Sequence, residues 1–163
     1  MVIDELPVDF ENADAERGAG SAIRVVLADD HELIRRSMRS VLDGEVGIDV
    51  VGEAEEVDAT VRSVRLHRPH VLVCDLRLPS LSNVATVRLI RERVARTRIV
   101  LATMELNPAF AQLALAAGAT GFVSKDLADS ELAPAVRAAA TGQRYVSPRV
   151  ARSLGSRQAT RGL

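Results

Sequence analysis

Short apolar, β-branched runs alternate along the chain with longer stretches whose apolar residues recur every three or four positions. The first run, Ile23-Arg24-Val25-Val26-Leu27-Ala28, reads as a buried strand. A helical stretch follows Asp29-Asp30, with Ile34, Met38, Val41 and Leu42 on one face, and Gly44 and Gly47 punctuate its end. Residues 49–54 predict a second strand. Residues 57–67 predict a helix with Val57, Val61 and Val64 aligned and Pro69 stopping it. Residues 71–75 form the third apolar run, and 84–94 a helix carrying Val87, Ile90 and Val94 on one side. A fourth strand is predicted at 98–103. Pro108 then opens a helix at its first turn, where the missing N–H has no partner to lose, and Gly118 closes it. Residues 120–124 predict a fifth strand. The last helix, 130–141, has Pro134 near its start and Gly142 at its end.

Five strand–helix units in about 120 residues imply parallel strands joined by right-handed crossovers, with helices on both faces of the sheet. Functional residues of such α/β sheets collect at the carboxyl ends of the strands. Strand one ends at Asp29-Asp30, strand three at Asp75, strand four at Thr103 and strand five at Lys125. Alone, an aspartate at a strand end reads as a helix cap, and a lysine there as a solvated charge. Together the five residues read as a site. Three carboxylates in one crevice repel each other and need a cation. An oxygen-only site without histidine or cysteine ligands suits a hard ion, Mg²⁺ above all. A metal, a carboxylate, a hydroxyl and an ammonium make a phosphoryl-transfer site. The carboxylate attacks phosphorus, Mg²⁺ and Lys125 neutralise the equatorial oxygens, and Thr103 hydrogen-bonds one of them.

Composition narrows the picture further. The chain has 163 residues, 47% hydrophobic but only 2% aromatic, so Val, Leu, Ile and Ala must fill its core, as in parallel strands covered by helices. Cys74 is the single cysteine, which excludes an internal disulfide and fits a reducing, cytoplasmic compartment. No run of about 18 apolar residues predicts a membrane span, and the N-terminus lacks the pattern of a secretory signal. The three histidines, His31, His67 and His70, show no ligand spacing, and His31 reads as a cap-region residue. Residues 1–20 carry six acids against Arg17, and residues 142–163 carry five arginines and no acid. Such runs read first as solvated ends, although opposite signs can attract different partners. Residues 149–163 show no apolar period and predict a disordered tail or an attachment point. The run Phe110–Ala117 has more small apolar residues than one buried stripe requires, either as a contact surface or simply because alanine favours helix.

Four segments carry a family resemblance over residues 23–150: Val-Val-Leu-Ala-Asp29-Asp30-His31, Val-Leu-Val-Cys-Asp75-Leu-Arg-Leu-Pro79, Ile-Val-Leu-Ala-Thr103-Met104, and Gly-Ala-Thr-Gly-Phe122-Val-Ser-Lys125-Asp126. They resemble the receiver domain of two-component response regulators. The resemblance implies a flavodoxin-like (CheY-like) fold, a doubly wound five-stranded parallel sheet with five helices. It divides the chain into an acidic flexible segment 1–21, a receiver domain 22–145 and a basic C-terminal tail or truncated linker 146–163. It implies that Asp75 is the phosphoacceptor, that Asp30 binds Mg²⁺ with the backbone carbonyl of Arg77, and that Asp29 acts mainly through a coordinated water. Thr103 and Phe122 would be the switch pair, and Lys125 would pair with Asp75 or its phosphate. Met104 and Arg77 would overhang the acyl phosphate and slow its hydrolysis.

Asp-Asp-His, Thr-Met, Lys-Asp and the closing Gly-Gln-Arg-Tyr-Val-Ser-Pro are similar to NarL/FixJ-type transcription regulators, which add a helix-turn-helix domain after a linker. About 15 residues after that closing motif cannot hold such a domain. The expected partners are therefore a sensor histidine kinase and a homodimer, formed through the fourth helix, fifth strand and fifth helix or through the first and fifth helices. No specific DNA binding by this chain alone and no membrane contact are expected. Where the family often has Pro-Gly and Asp-Gly after the phosphoacceptor, this chain has Pro79-Ser80-Leu81-Ser82-Asn83. Three alternatives stay open: a receiver fragment of a DNA-binding regulator, a degenerate receiver, and a haloacid-dehalogenase-type phosphatase. The last needs an acid two residues after the nucleophile, where this chain has Arg77.

Overall fold

A computed structural model describes residues 20–75 and 84–160, with side chains described at all of these but Val84 and 156–160. The two-residue period of a strand sends neighbouring side chains to opposite faces. Strand β1 (Ile23–Ala28) therefore needs cover on both sides, and every side chain from Val25 to Ala28 is fully buried. It lies between β2 (Ile48–Ala54) and β3 (Val71–Cys74), followed outward by β4 (Arg98–Thr103), β5 (Gly121–Ser124) and a short β6 (Tyr145–Val146). The sheet has six strands in the order β2-β1-β3-β4-β5-β6, and every pairing is parallel.

The helices between the strands are α1 (Glu32–Asp43), α2 (Val57–His67), α3 (Val84–Arg93), α4 (Pro108–Ala116), α5 (Ala128–Ala140) and α6 (Pro148–Thr160). They separate cleanly by face. Val25, Leu27, Val73 and Val123 meet α1 and α5 through Met38, Leu42, Leu132 and Val136. Val26, Leu72, Leu101 and Phe122 meet α2, α3, α4 and α6 through Val61, Ile90, Ala114 and Val150. At Gly52 the backbone of β2 approaches α2 so closely that a Cβ would lie 2.6 Å from Ser63 Oγ and 2.8 Å from His67 Cδ2. Gly142 closes α5 with φ +78°, a conformation that glycine adopts without strain.

The doubly wound α/β sheet expected from the sequence is the fold found, and each predicted strand and helix is present within a few residues of its expected bounds. Helix α5 begins at Ala128, so Pro134 lies inside it, on an exposed turn. The C-terminal segment departs from expectation. Tyr145 and Val146 add a sixth strand, and the disorder expected from Arg149 onward is corrected over 149–160, which lie in α6. A two-residue strand is too short to show a period. In α6 Val150 is 1% exposed and Leu154 packs on the same core, but two apolar positions among arginines do not raise a helical period. Helix α4 is likewise less open than its composition suggests. Ala111 and Ala114 are buried and Ala117 packs against the core, leaving Ala109, Leu113 and Ala116 exposed. The Arg77 carbonyl and the Pro79–Asn83 loop, like residues 1–19 and 161–163, lie outside the described residues.

Docking of α6 is directly testable. Val150→Ala removes two buried methyl groups and should lower the unfolding free energy by about 1.5–3 kcal/mol in urea denaturation. An unchanged midpoint would mean that α6 is not part of the core.

Candidate functional site

The carboxyl ends of β1, β3, β4 and β5 bring the sequence-predicted residues to one edge. The Asp29 N–H donates to the Ala54 carbonyl at 3.0 Å, and the Asp75 N–H to the Ala28 carbonyl at 3.0 Å. Both acids are thus fixed by the ladder itself, each one residue beyond the buried last residue of its strand, Ala28 or Cys74. Asp29 is fully buried and Asp75 is 5% exposed, whereas Asp30 is exposed. Lys125 begins a single 3₁₀ turn, Lys125–Leu127, after β5, and its side chain is 3% exposed. Its ammonium donates to Asp75 Oδ2 and lies 2.5 Å from Asp29 Oδ2. The ammonium thus stands against one oxygen of each buried carboxylate. Asp29 Oδ1 accepts the His31 N–H at 2.8 Å.

Ligand atoms of Asp29, Asp30, His31 and Asp75 all lie within 4.8 Å of one another and could hold a metal ion. The donor set fits a hard divalent cation: three carboxylates share a small volume at the strand ends. His31 occupies the N-cap position of α1 without capping it through its side chain. Its Nδ1 lies 2.9 Å from Asp30 Oδ1 instead. Cys74, next to Asp75, is not a rival nucleophile. Burial pushes its thiol far up from the ordinary value, and the neighbouring charges of Asp75 and Asp29 push it further.

Thr103 is 2% exposed and pairs in register with Ser124, so it stands beside the Lys125 turn. Its Oγ1 accepts the Glu105 N–H at 3.0 Å. Met104 is half exposed beside it, and Phe122 is fully buried on the α4–α6 side of the sheet. Of the predicted residues, then, Asp29, Asp30, Asp75 and Lys125 come into one cluster, and Thr103 borders it. Phe122 lies beneath, in the core.

Arg35 belongs to this site and is absent from the sequence expectation. It is buried, and its Nη1 donates to the Asp29 carbonyl at 2.6 Å. Nε donates to Glu53 Oε1 at 3.2 Å and Nη2 to Glu55 Oε1 at 2.9 Å. One planar guanidinium thereby ties α1, the turn bearing the acid pair and the end of β2. The available signal was its place three residues before Met38 and seven before Leu42, on the inward stripe of α1, where an unpaired charge would be costly.

Comparison with known proteins agrees over most of the chain. Residues 25–137 match the response regulator receiver domain family. Response regulator UvrY of Escherichia coli is 32% identical over 136 residues, 83% of this chain and 62% of UvrY. The chain thus spans less than two thirds of the length of that relative. The crystal structure of a LuxR-family two-component response regulator from Aurantimonas sp. SI85-9A1 superposes with a TM-score of 0.79 at 34% identity, over 85% of this chain and 99% of that one. The signal receiver domain of the putative response regulator NarL from Mycobacterium tuberculosis gives 0.70 at 32% identity, over 76% and 99% of the two chains.

Arg35→Ala should lower stability by about 1.5–3 kcal/mol, the scale of hydrogen bonds to charged groups. Arg35→Lys should recover only part of it, because an ammonium cannot reproduce the fork to Glu53, Glu55 and the Asp29 carbonyl. Full recovery by lysine in denaturant titrations would contradict the bridging role.

Proposed function

The chain belongs to the response regulator receiver domain family, and from that premise we propose that Asp75 accepts a phosphoryl group from a sensor histidine kinase and thereby switches protein–protein contacts. The observation that carries this reading is the Lys125 ammonium lying against both Asp29 and Asp75 at the strand ends. An anion arriving at Asp75 finds a buried cation already aimed at it.

In the proposed step an Asp75 oxygen bonds to phosphorus as the bond from phosphorus to the donor's imidazole nitrogen breaks, and that electron pair leaves with the donor. Lys125 turns from the carboxylates to the phosphoryl oxygens. The Thr103 hydroxyl already accepts the Glu105 N–H, which leaves its hydrogen to donate to one of them. Asp30, Asp75 and the Arg77 carbonyl would hold Mg²⁺ directly and Asp29 through water, and the bound ion would supply the charge neutralisation that lets an anion enter the acidic crevice. Met104, and Arg77 two residues past Asp75, are proposed to hinder water approaching the acyl phosphate. Beyond accepting the phosphoryl group, the chain's own chemistry in this proposal is self-phosphorylation from small donors and slow self-dephosphorylation.

The receiver unit is placed at 22–145, with α6 as an appended helix. Partner contact is assigned to the α4–β5–α5 face, where Leu113 is 52% exposed, or to α1 and α5, in a homodimer. Among the described residues no helix is long and apolar enough to cross a membrane. The cytoplasm is the proposed location because kinase phosphoryl donors act there.

Acetyl phosphate with Mg²⁺ should add the mass of one phosphoryl group to the intact protein, and none to Asp75→Asn. Asp30→Ala should lower the rate of uptake by about tenfold or more, the loss seen when even outer-shell metal partners are removed, and Asp29→Ala by less. Lys125→Ala and Thr103→Ala should take up phosphate yet lose phosphorylation-dependent association in light scattering. Uptake by Asp75→Asn would refute the assignment.

A further inference from the structure

Behind the crevice a third buried carboxylate joins the Lys125 turn to the C-terminal helix. Glu131 in α5 is 5% exposed. Its Oε2 accepts the Ser124 N–H at 3.2 Å, and its Oε1 accepts the Ser147 hydroxyl at 2.9 Å. Ser124 immediately precedes Lys125. Ser147 is fully buried and immediately precedes α6. The Ser147 carbonyl accepts the N–H groups of Val150 and Ala151, each at 2.9 Å, and its own N–H donates to the Phe122 carbonyl at 2.7 Å. Val150 then packs in the same core cluster as Phe122. One carboxylate therefore holds both the residue before Lys125 and the residue that starts α6. A buried carboxylate is costly unless its oxygens have donors, and here the two donors come from two separate segments. Moving either segment withdraws a donor, so their positions are linked.

We propose that Glu131 is a positioning residue for Lys125, and that through it the phosphorylation state of Asp75 controls the docking of α6. The inference rests on the role proposed for Asp75. In the structure Lys125 lies against Asp29 and Asp75 while α6 is docked, and the proposal assigns docking to the arrangement in which Lys125 pairs with the carboxylates. A phosphoryl group at Asp75 draws Lys125 toward its oxygens, Ser124 follows, and the Glu131 tie to Ser147 slackens. Helix α6 then loosens and uncovers the α4 side of the sheet. Coupling between two sites is reciprocal. Releasing α6 must therefore raise the affinity of the crevice for a phosphoryl mimic by the same factor by which the mimic loosens α6.

The experiment uses the full chain with beryllofluoride and Mg²⁺ as the probe. Affinity is read by calorimetric titration, and α6 docking by amide hydrogen exchange over residues 150–154. Beryllofluoride should speed α6 exchange in the wild-type protein. Ser147→Ala should show fast exchange without the probe and bind beryllofluoride about fivefold more tightly or better, the lower end of ordinary allosteric couplings. Glu131→Gln should stay close to wild type, because its amide oxygen can take the Ser124 N–H while its NH₂ donates to Ser147 Oγ. A purely structural Ser147 would change stability and leave beryllofluoride affinity alone. Beryllofluoride binding with α6 exchange unmoved, and with equal affinity in Ser147→Ala, would overturn the coupling and leave the role of Asp75 standing. Absence of binding, or equal binding by Asp75→Asn, would remove both.

Discussion

Asp29 and Asp75 leave adjacent parallel strands directly after Ala28 and Cys74, the buried last residues of those strands, and the Lys125 ammonium lies between them. Neither acid can retreat. Their N–H groups are committed to the sheet ladder, and their side chains are almost wholly out of water. Two like charges fixed in this way make the crevice unfavourable until a cation enters it. Lysine meets part of that demand from inside the chain. It does so from the far side of the sheet, beyond β4, so the fold must hold four strand ends in register for the contact to exist.

That requirement explains the supporting groups. Arg35 fixes the backbone carbonyl of Asp29 from the α1 side, and Glu131 fixes the N–H of Ser124 from the α5 side. Both are charged, buried and multiply hydrogen-bonded, the condition under which burial of charge is tolerated. They sit on the two helices that share one face of the sheet, so that face sets the positions of acid and lysine. The opposite face carries Phe122 and α6, the elements free to respond. In the proposed switch one layer holds the charges, and the other reports on them.

Much of this was legible in the sequence, because strands buried on both faces leave continuous Val, Ile and Leu runs, and the polar residue ending each run is conspicuous. Asp29, Asp30, Asp75, Thr103 and Lys125 were all placed by that rule alone. The supporting residues were not, since Arg35 and Glu131 look like ordinary charges on amphipathic helices until their partners from distant segments are known. Helix α6 was missed for a different reason. Its docking rests on Val150 and Leu154 and on the Ser147–Glu131 bond, a tertiary contact across 16 residues with no local periodicity to announce it.

The central claim is that the acid cluster is a cation site which the fold maintains against its own repulsion. Urea unfolding with and without Mg²⁺ tests it most directly. A cation bound only by the folded chain should stabilise it by about 2.7 kcal/mol at a hundredfold excess over Kd, and Asp30→Asn should lose that gain. Equal stabilisation of wild type and Asp30→Asn, or no response of the wild type to Mg²⁺, would contradict the account.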